Sequence, residues 1–228
     1  MLETTSSQLT LNTTHLFSKK TRDRILTSSL ILFNERGFGN VTTALIAKHA
    51  DILEGSLWYH FNTKKDILTE HLKILSLLFS KENKKEGSVD FKSIINGIFN
   101  SYEIIWDFRY ILRDNFQTLL PSDCDTLNST KKINLQLDQW AENKIQDSNK
   151  IGLLKIKTQE IENLSEIILM IGRHWLDFSR KKHPTLSTDV LRFKGLNHII
   201  MVLNPFFTPS AKSIIDDLLT QRNKFEDL

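Results

Sequence analysis

Residues 41–61 read VTTALIAKHADILEGSLWYHF. This run has room for two helices of about two turns each and only a short joint between them. Thr42 is a good N-cap for the first, its hydroxyl taking an orphan backbone N–H. Val41 and Ile46 stand at the two positions of a hydrophobic staple. The helix runs to Ala50, and Asp51, Ile52 and Leu53 make the joint. Gly would be the easier residue at position 51, but Asp tolerates a left-handed backbone better than most. The second helix covers Glu54 to His60. One turn cannot bury Trp58, Tyr59 and His60 side by side in one core, so some of those rings face a partner. Leu57 and Phe61, four residues apart, are the inward pair.

The flanks are helical too. In residues 21–37, Ile25, Leu26, Ser29, Leu32 and Phe33 fall on one face at helical spacing, and Gly37 supplies the positive φ that ends a helix. Thr63 and Asp66 form a variant capping box for a fourth helix carried by Ile67, Leu68, Leu72, Leu75 and Phe79 to about Asn83. KENKKEGS, 81–88, is a polar break. Beyond it helices are expected over 91–118 (kinked near Asp107), 126–148, 159–181, 187–203 and 210–225, the last started by Thr208 and Pro209. With 8 Gly and 4 Pro in 228 residues, little of the chain is punctuated for β-turns. The expected fold is all-α: an arm over 1–18 that is flexible, a helix-turn-helix domain with its connecting helix over 19–83, and a larger helical domain over 84–228.

Several classes are excluded. A single cysteine, Cys124, allows neither a disulfide framework nor a CxxC metal site. No HxxxH or HExxH pattern occurs, so no metal and no cofactor is expected. No apolar run reaches the length of a membrane span, and residues 1–18 lack the pattern of a signal peptide; a soluble cytoplasmic protein follows. An enzyme using His60 or His174 as base lacks a nucleophile and an orienting group. Net charge is +3, but residues 19–85 hold 12 Lys/Arg against 7 Asp/Glu, an uneven balance that suits phosphate and equally suits a solvated basic face.

Two short helices with a tight joint, behind a stabilising helix, form a helix-turn-helix, and the second of the pair enters the major groove. Gly55 lets the helix start approach a phosphate; rings at 58–60 reach sugar, phosphate or base edges. Lys64 and Lys65 sit at the next helix start, a phosphate-favouring position. The run from Arg24 to Glu70, with its IL…LF…GF helix, Thr42-x-x-x-Ile46-Ala47, Gly55-x-Leu57, His60-Phe61 and Lys64, resembles the N-terminal domain of the TetR/AcrR family of bacterial transcriptional repressors. That resemblance implies backbone and occasional base contacts from Thr42 and Thr43. It implies base-facing Glu54, Ser56 and Tyr59, and phosphate-facing Trp58, His60 and Lys64. Trp58 stands where the family usually has Tyr; an indole N–H replaces the phenol as donor. Leu53 replaces the usual capping Ser, so either Asp51 caps from further back or the helix frays until DNA orders it.

The resemblance further implies a double-stranded operator, a homodimer, and a largely apolar effector cavity in the second domain. Candidates for that cavity are Tyr102, Trp106, Arg109, Tyr110, Arg113, His174 and Trp175, aromatic residues with a few polar groups among them. Core packing explains any one of the aromatics equally, and Arg109-x-x-x-Arg113 suits either an anionic head group or solvent. For the dimer the apolar stripe is Leu164, Ile167, Ile168, Ile171 and Phe178, with Ile199, Val202 and Leu203 on the next helix. A regulator without a small-molecule effector, or a helical interaction module that binds no DNA, also fits these residues.

Overall fold

A computed structural model describes residues 9–83 and 91–223, and these are helical throughout, apart from connecting turns and one isolated antiparallel bridge between Leu154 and Phe207. A short N-terminal turn of helix, α1 (Leu11–Thr14), precedes α2 (Thr21–Arg36), α3 (Thr43–His49), α4 (Glu54–His60) and α5 (Lys64–Asn83). After the polar break, of which 84–90 lie outside the described residues, come α6 (Phe91–Asp107), α7 (Arg109–Arg113), α8 (Phe116–Leu119), α9 (Cys124–Lys150), α10 (Ile161–Lys182), α11 (Thr188–Leu203) and α12 (Pro209–Asn223).

Local chemistry sets most boundaries. The Thr42 hydroxyl accepts from the Leu45 amide at 3.2 Å. The Thr63 amide donates to the Asp66 carboxylate and the Asp66 amide to the Thr63 hydroxyl, at 2.8 and 3.2 Å, a reciprocal cap for α5. Gly37 ends α2 at φ 79°, a conformation that glycine adopts without steric cost. Ser187 caps α11 through the Val190 amide.

Two expectations are corrected. The helix over 91–118 is three pieces: the kink expected near Asp107 is a full break at Phe108, whose φ of −107° and ψ of 19° leave the helix, and the chain breaks again after Arg113. The reason is tertiary, because the break is stitched to α2 by side chains described below. The arm over 1–18 does not hold as a flexible one for residues 9–17. Thr10 and Thr13 are buried, and the Thr10 amide and hydroxyl donate to the Asp107 carboxylate, the hydroxyl at 2.6 Å.

Among the described residues the buried apolar side chains form two cores. One joins α2–α5 to α6, α7 and α9 through Phe33, Leu57, Phe79, Phe108, Tyr110 and Leu137. The other lies among α6, α10, α11 and α12 around Phe99, Trp106, Leu176 and Leu196. Gly195 sits at a tight joint of the second. A Cβ there would collide with the Tyr102 hydroxyl and lie 2.5 Å from Trp175 Cδ1. Alanine normally gains about 1 kcal/mol over glycine within a helix, but overpacking here opposes it with ~1–3 kcal/mol. Gly195→Ala is therefore expected to lower stability by about 1 kcal/mol net in urea denaturation.

Candidate nucleic-acid interface

The surface of interest is built on α4. Leu57 is fully buried and Phe61 nearly so, with the Arg22 guanidinium over the Phe61 ring at 5.2 Å. Those two anchors turn the opposite face outward: Tyr59 is 85% exposed, Leu53 81% and Trp58 43%. Ser56 and Gly55 are exposed beside them, and nothing among the described residues lies within 4 Å of a Cβ placed at Gly55. His60 is half-buried, its ring edge-on to Tyr59 at 5.2 Å. Aromatic and apolar side chains held in water on a well-anchored helix mark a partner surface.

The joint before α4 is held from behind. Arg24 of α2 donates to the carbonyls of Ala50 and Asp51, satisfying the end of α3. Asp51 has φ 52°, so the left-handed residue is where the sequence put it. Neither Asp51 nor Leu53 caps α4: the Leu53 position has no side-chain cap. The Glu54 carboxylate accepts from the Thr43 hydroxyl at 2.9 Å. Thr43 and Glu54, both expected to face DNA, are thus paired with each other across the two helices, while Thr42 remains exposed.

Both lysine assignments are corrected. Lys64 points inward: its ammonium donates to the carbonyls of Phe38 and Val41 at 2.7 and 2.8 Å and lies 4.4 Å from the Phe38 ring centroid. Burial lowers its pKa. It closes the turn before α3 by satisfying carbonyls that have no helical partner. Lys65 reaches the second domain, 2.8 Å from the Asp123 carboxylate that also caps α9; that hydrogen bond raises its pKa. Arg22 and Lys73 are likewise taken up by Glu70. Part of the positive excess in the N-terminal region is therefore consumed inside the molecule.

Of the second-domain candidates, Tyr102, Trp106, Arg109 and Trp175 lie together, with Tyr102 and Arg109 against the Trp106 ring and the Tyr102 hydroxyl and Trp175 both beside Gly195, while Tyr110, Arg113 and His174 lie apart. Tyr110 lies in the first core, its hydroxyl 2.8 Å from His71 Nδ1; Tyr102 and Trp106 belong to the second. The Tyr102 hydroxyl donates to the Arg192 carbonyl and Trp175 Nε1 to the Leu191 carbonyl. Arg113 braces the end of α2 by donating to the carbonyls of Phe33 and Asn34. His174 is exposed. None of them lines the apolar cavity of about 40 Å³ bounded by Ile98, Trp140, Ile145, Ile168, Leu203 and Phe207. The dimer stripe is corrected too. Leu164, Ile199 and Leu203 are buried within the chain's own core, and Ile168, Ile171 and Val202 pack against it. Ile167 and Phe178 remain exposed, together with Met170 and Met201.

Two residues missed in the sequence tie these regions together. Asn34, on α2, donates from Nδ2 to the Asp107 carbonyl at 2.6 Å and accepts at Oδ1 from the Tyr110 amide at 3.1 Å, spanning the α6–α7 break. His71, fully buried on α5, meets the Leu26 carbonyl at 3.0 Å through Nε2. With Nε2 as donor, Nδ1 accepts from Tyr110.

Burial pulls the His71 pKa down to about 4. It pushes Asp107 up to about 6, against the donors of Thr10. The two act in opposite directions with pH. His71 stays neutral in the folded chain while the unfolded chain takes up a proton, so its contribution is lost as pH falls from about 6.5 to 4, about 3 kcal/mol in all. Asp107 binds its proton more tightly when folded, so over much of that window it adds stability as pH falls, by about the same amount. Asp107→Asn removes the second contribution. Its stability is expected to drop more steeply than the parent's between pH 6 and 4, by roughly 2–3 kcal/mol, in urea titrations at each pH. Parallel curves would contradict this.

A helix-turn-helix head on an all-helical body is the class of protein that these elements define. A family model described as "Bacterial transcriptional repressor", TetR, matches residues 75–214, and one described as "Bacterial regulatory proteins, tetR family" matches residues 25–70. The chain belongs to the TetR family. It is 26% identical over 100 residues to the biofilm operon icaADBC negative transcriptional regulator IcaR of Staphylococcus aureus (strain Newman), which is 42% of this chain and 49% of IcaR. The chain thus spans about half the length of the curated relative it matches. Among solved structures, a TetR-family transcriptional regulator from Marinobacter aquaeolei VT8 superposes with a TM-score of 0.66 at 24% identity, over 86% of this chain and 96% of that one. SmeT in its triclosan complex superposes with a TM-score of 0.54 at 15% identity, over 84% and 93%. At these identities the likeness is one of fold.

Proposed function

We propose that this chain is a DNA-binding transcriptional regulator, a homodimeric repressor that leaves a near-palindromic operator when a small-molecule effector binds its second domain. The observation that carries the reading is the outward face of α4, with Tyr59 85% exposed on a helix pinned by Leu57. In this geometry Ser56, Trp58 and Tyr59 meet base edges and backbone in the major groove. Thr42 and the half-buried His60 serve the flanking phosphates. Glu54 enters only by giving up Thr43, which favours a sequence that offers it a donor such as a cytosine amino group.

Dimerisation is supported by exposed Ile167, Met170 and Phe178 on one side of α10, apolar surface that a soluble monomer rarely leaves open. A two-fold axis there would set the two α4 helices about one DNA turn, ~34–36 Å, apart. An effector acts by preferring a conformer in which that spacing is wrong. SmeT in complex with triclosan lends this part its precedent. The cavity of about 40 Å³ favours a second reading, a regulator without such an effector, because drug-sized pockets hold ~300–1,000 Å³.

Fluorescence anisotropy on duplex fragments from the upstream region of its own coding sequence, at two salt concentrations with competitor present, tests the proposal. Retention of one fragment at the higher salt is the expected result. Equal, weak binding that vanishes with salt on every fragment would leave only phosphate attraction.

A further inference from the structure

Arg109 opens α7 and is only 3% exposed. Its Nη1 donates to the Trp106 carbonyl at 2.7 Å, and the guanidinium stacks on the Trp106 ring at 4.9 Å. Its other edge is unmet: Nε and Nη2 are both buried and neither has a hydrogen-bond partner among the described residues. Burial and the neighbouring Arg180 draw its pKa down to about 9, so the group is still charged at neutral pH. The carboxylate two residues earlier, Asp107, is occupied by Thr10.

A buried guanidinium with two of its donors unmet is costly. The Nε–Nη2 edge is a fork of two parallel donors, the arrangement that grips a planar carboxylate through both oxygens. We propose that Arg109 is the anion-binding edge of a site for an amphipathic monocarboxylate, whose two oxygens take Nε–H and Nη2–H and whose apolar body lies among the side chains around Trp106. One fork neutralises one charge. A phosphate dianion would bring a second charge and a third oxygen to the same two donors.

The position of the site gives it a route to the DNA-facing head. Arg109 lies between the Asp107 carbonyl and the Tyr110 amide, and both are partners of Asn34 on α2. A ligand that draws Arg109 shifts the segment held by the head. Only that regulatory role rests on the effector reading above; the anion site stands apart from it.

The test uses the full chain. Thermal unfolding is followed with straight-chain carboxylates from acetate to decanoate, with the matching primary amides, and with inorganic phosphate. Arg109→Met, similar in volume and uncharged, is measured beside the parent. The expected result is a rise in Tm of about 3 °C with the longer acids near ten times their Kd, little with the amides or phosphate, and none in Arg109→Met. The variant's ligand-free Tm is expected to equal or exceed the parent's, because two buried, unmet donors are gone. Equal shifts with acids and amides, or no acid that outperforms its amide, would overturn the proposal. So would a preference for phosphate, or a marked loss of ligand-free stability in Arg109→Met, which would make the guanidinium a structural group. Anisotropy on the operator separates the two readings: acid-selective stabilisation without loss of DNA affinity keeps the carboxylate site and removes its role as effector site.

Discussion

Asn34→Ala is expected to destabilise the protein by about 2–5 kcal/mol, although it removes only one small polar side chain. Asn34 is 1% exposed and makes the two hydrogen bonds that cross the α6–α7 break. Its loss leaves the Asp107 carbonyl and the Tyr110 amide buried and unpaired. Each such orphan costs ~1–3 kcal/mol, more than the net worth of the bond itself. Water entering the vacated space would reduce the cost towards the lower end. The neighbouring ties, Arg113 to the Phe33 carbonyl and the Phe38 amide to the Asp114 carboxylate at 2.6 Å, remain and keep the head attached. The Tm and the urea midpoint should therefore both fall with the m-value unchanged. A change under 1 kcal/mol would mean that the junction is held elsewhere.

Leu57→Ala should act just as strongly but on a smaller part of the molecule. Leu57 is fully buried and Phe61 is the next anchor on the same side of α4. A buried Leu→Ala change costs ~2–5 kcal/mol through lost transfer energy and the cavity left behind. A seven-residue helix without a side-chain cap has little intrinsic stability to offset that. The expected result is early loss of hydrogen-exchange protection in α3 and α4, while the amides of the second core around Trp106 and Leu196 stay protected. Uniform loss of protection would show that the head and the body open as one unit.

How much of this was legible in the sequence depends on the range over which each residue acts. Local signals carried well. The face of Ile25, Leu26, Ser29, Leu32 and Phe33 is buried throughout, Thr42 caps α3, and Asp51 takes the positive φ. Each depends on neighbours within a turn or two. Asn34 and His71 escaped notice because a polar residue on a helix is ordinarily outward, and their partners stand 73 and 39 positions away at Asp107 and Tyr110. The direction of a lysine is equally non-local. Lys64 and Lys65 occupy positions that suit phosphate, yet their long stems reach the Val41 carbonyl and Asp123. Aromatic density around Tyr102 and Trp106 marked the second domain's core and could not distinguish it from a cavity wall. Of the pocket candidates, Arg109 alone carries an unmet polar edge, on which burial and not its spacing to Arg113 is informative.

The central claim is that the exposed face of α4 reads duplex DNA, and Tyr59→Ala tests it most directly. The ring is solvated, so its removal should leave Tm unchanged within error. Anisotropy on the retained upstream fragment should show a loss of ~1–3 kcal/mol, about 5- to 150-fold in Kd, with the salt dependence preserved because the phosphate contacts remain. Unaltered affinity in a folded Tyr59→Ala variant would contradict the assignment and move the DNA-reading surface off α4.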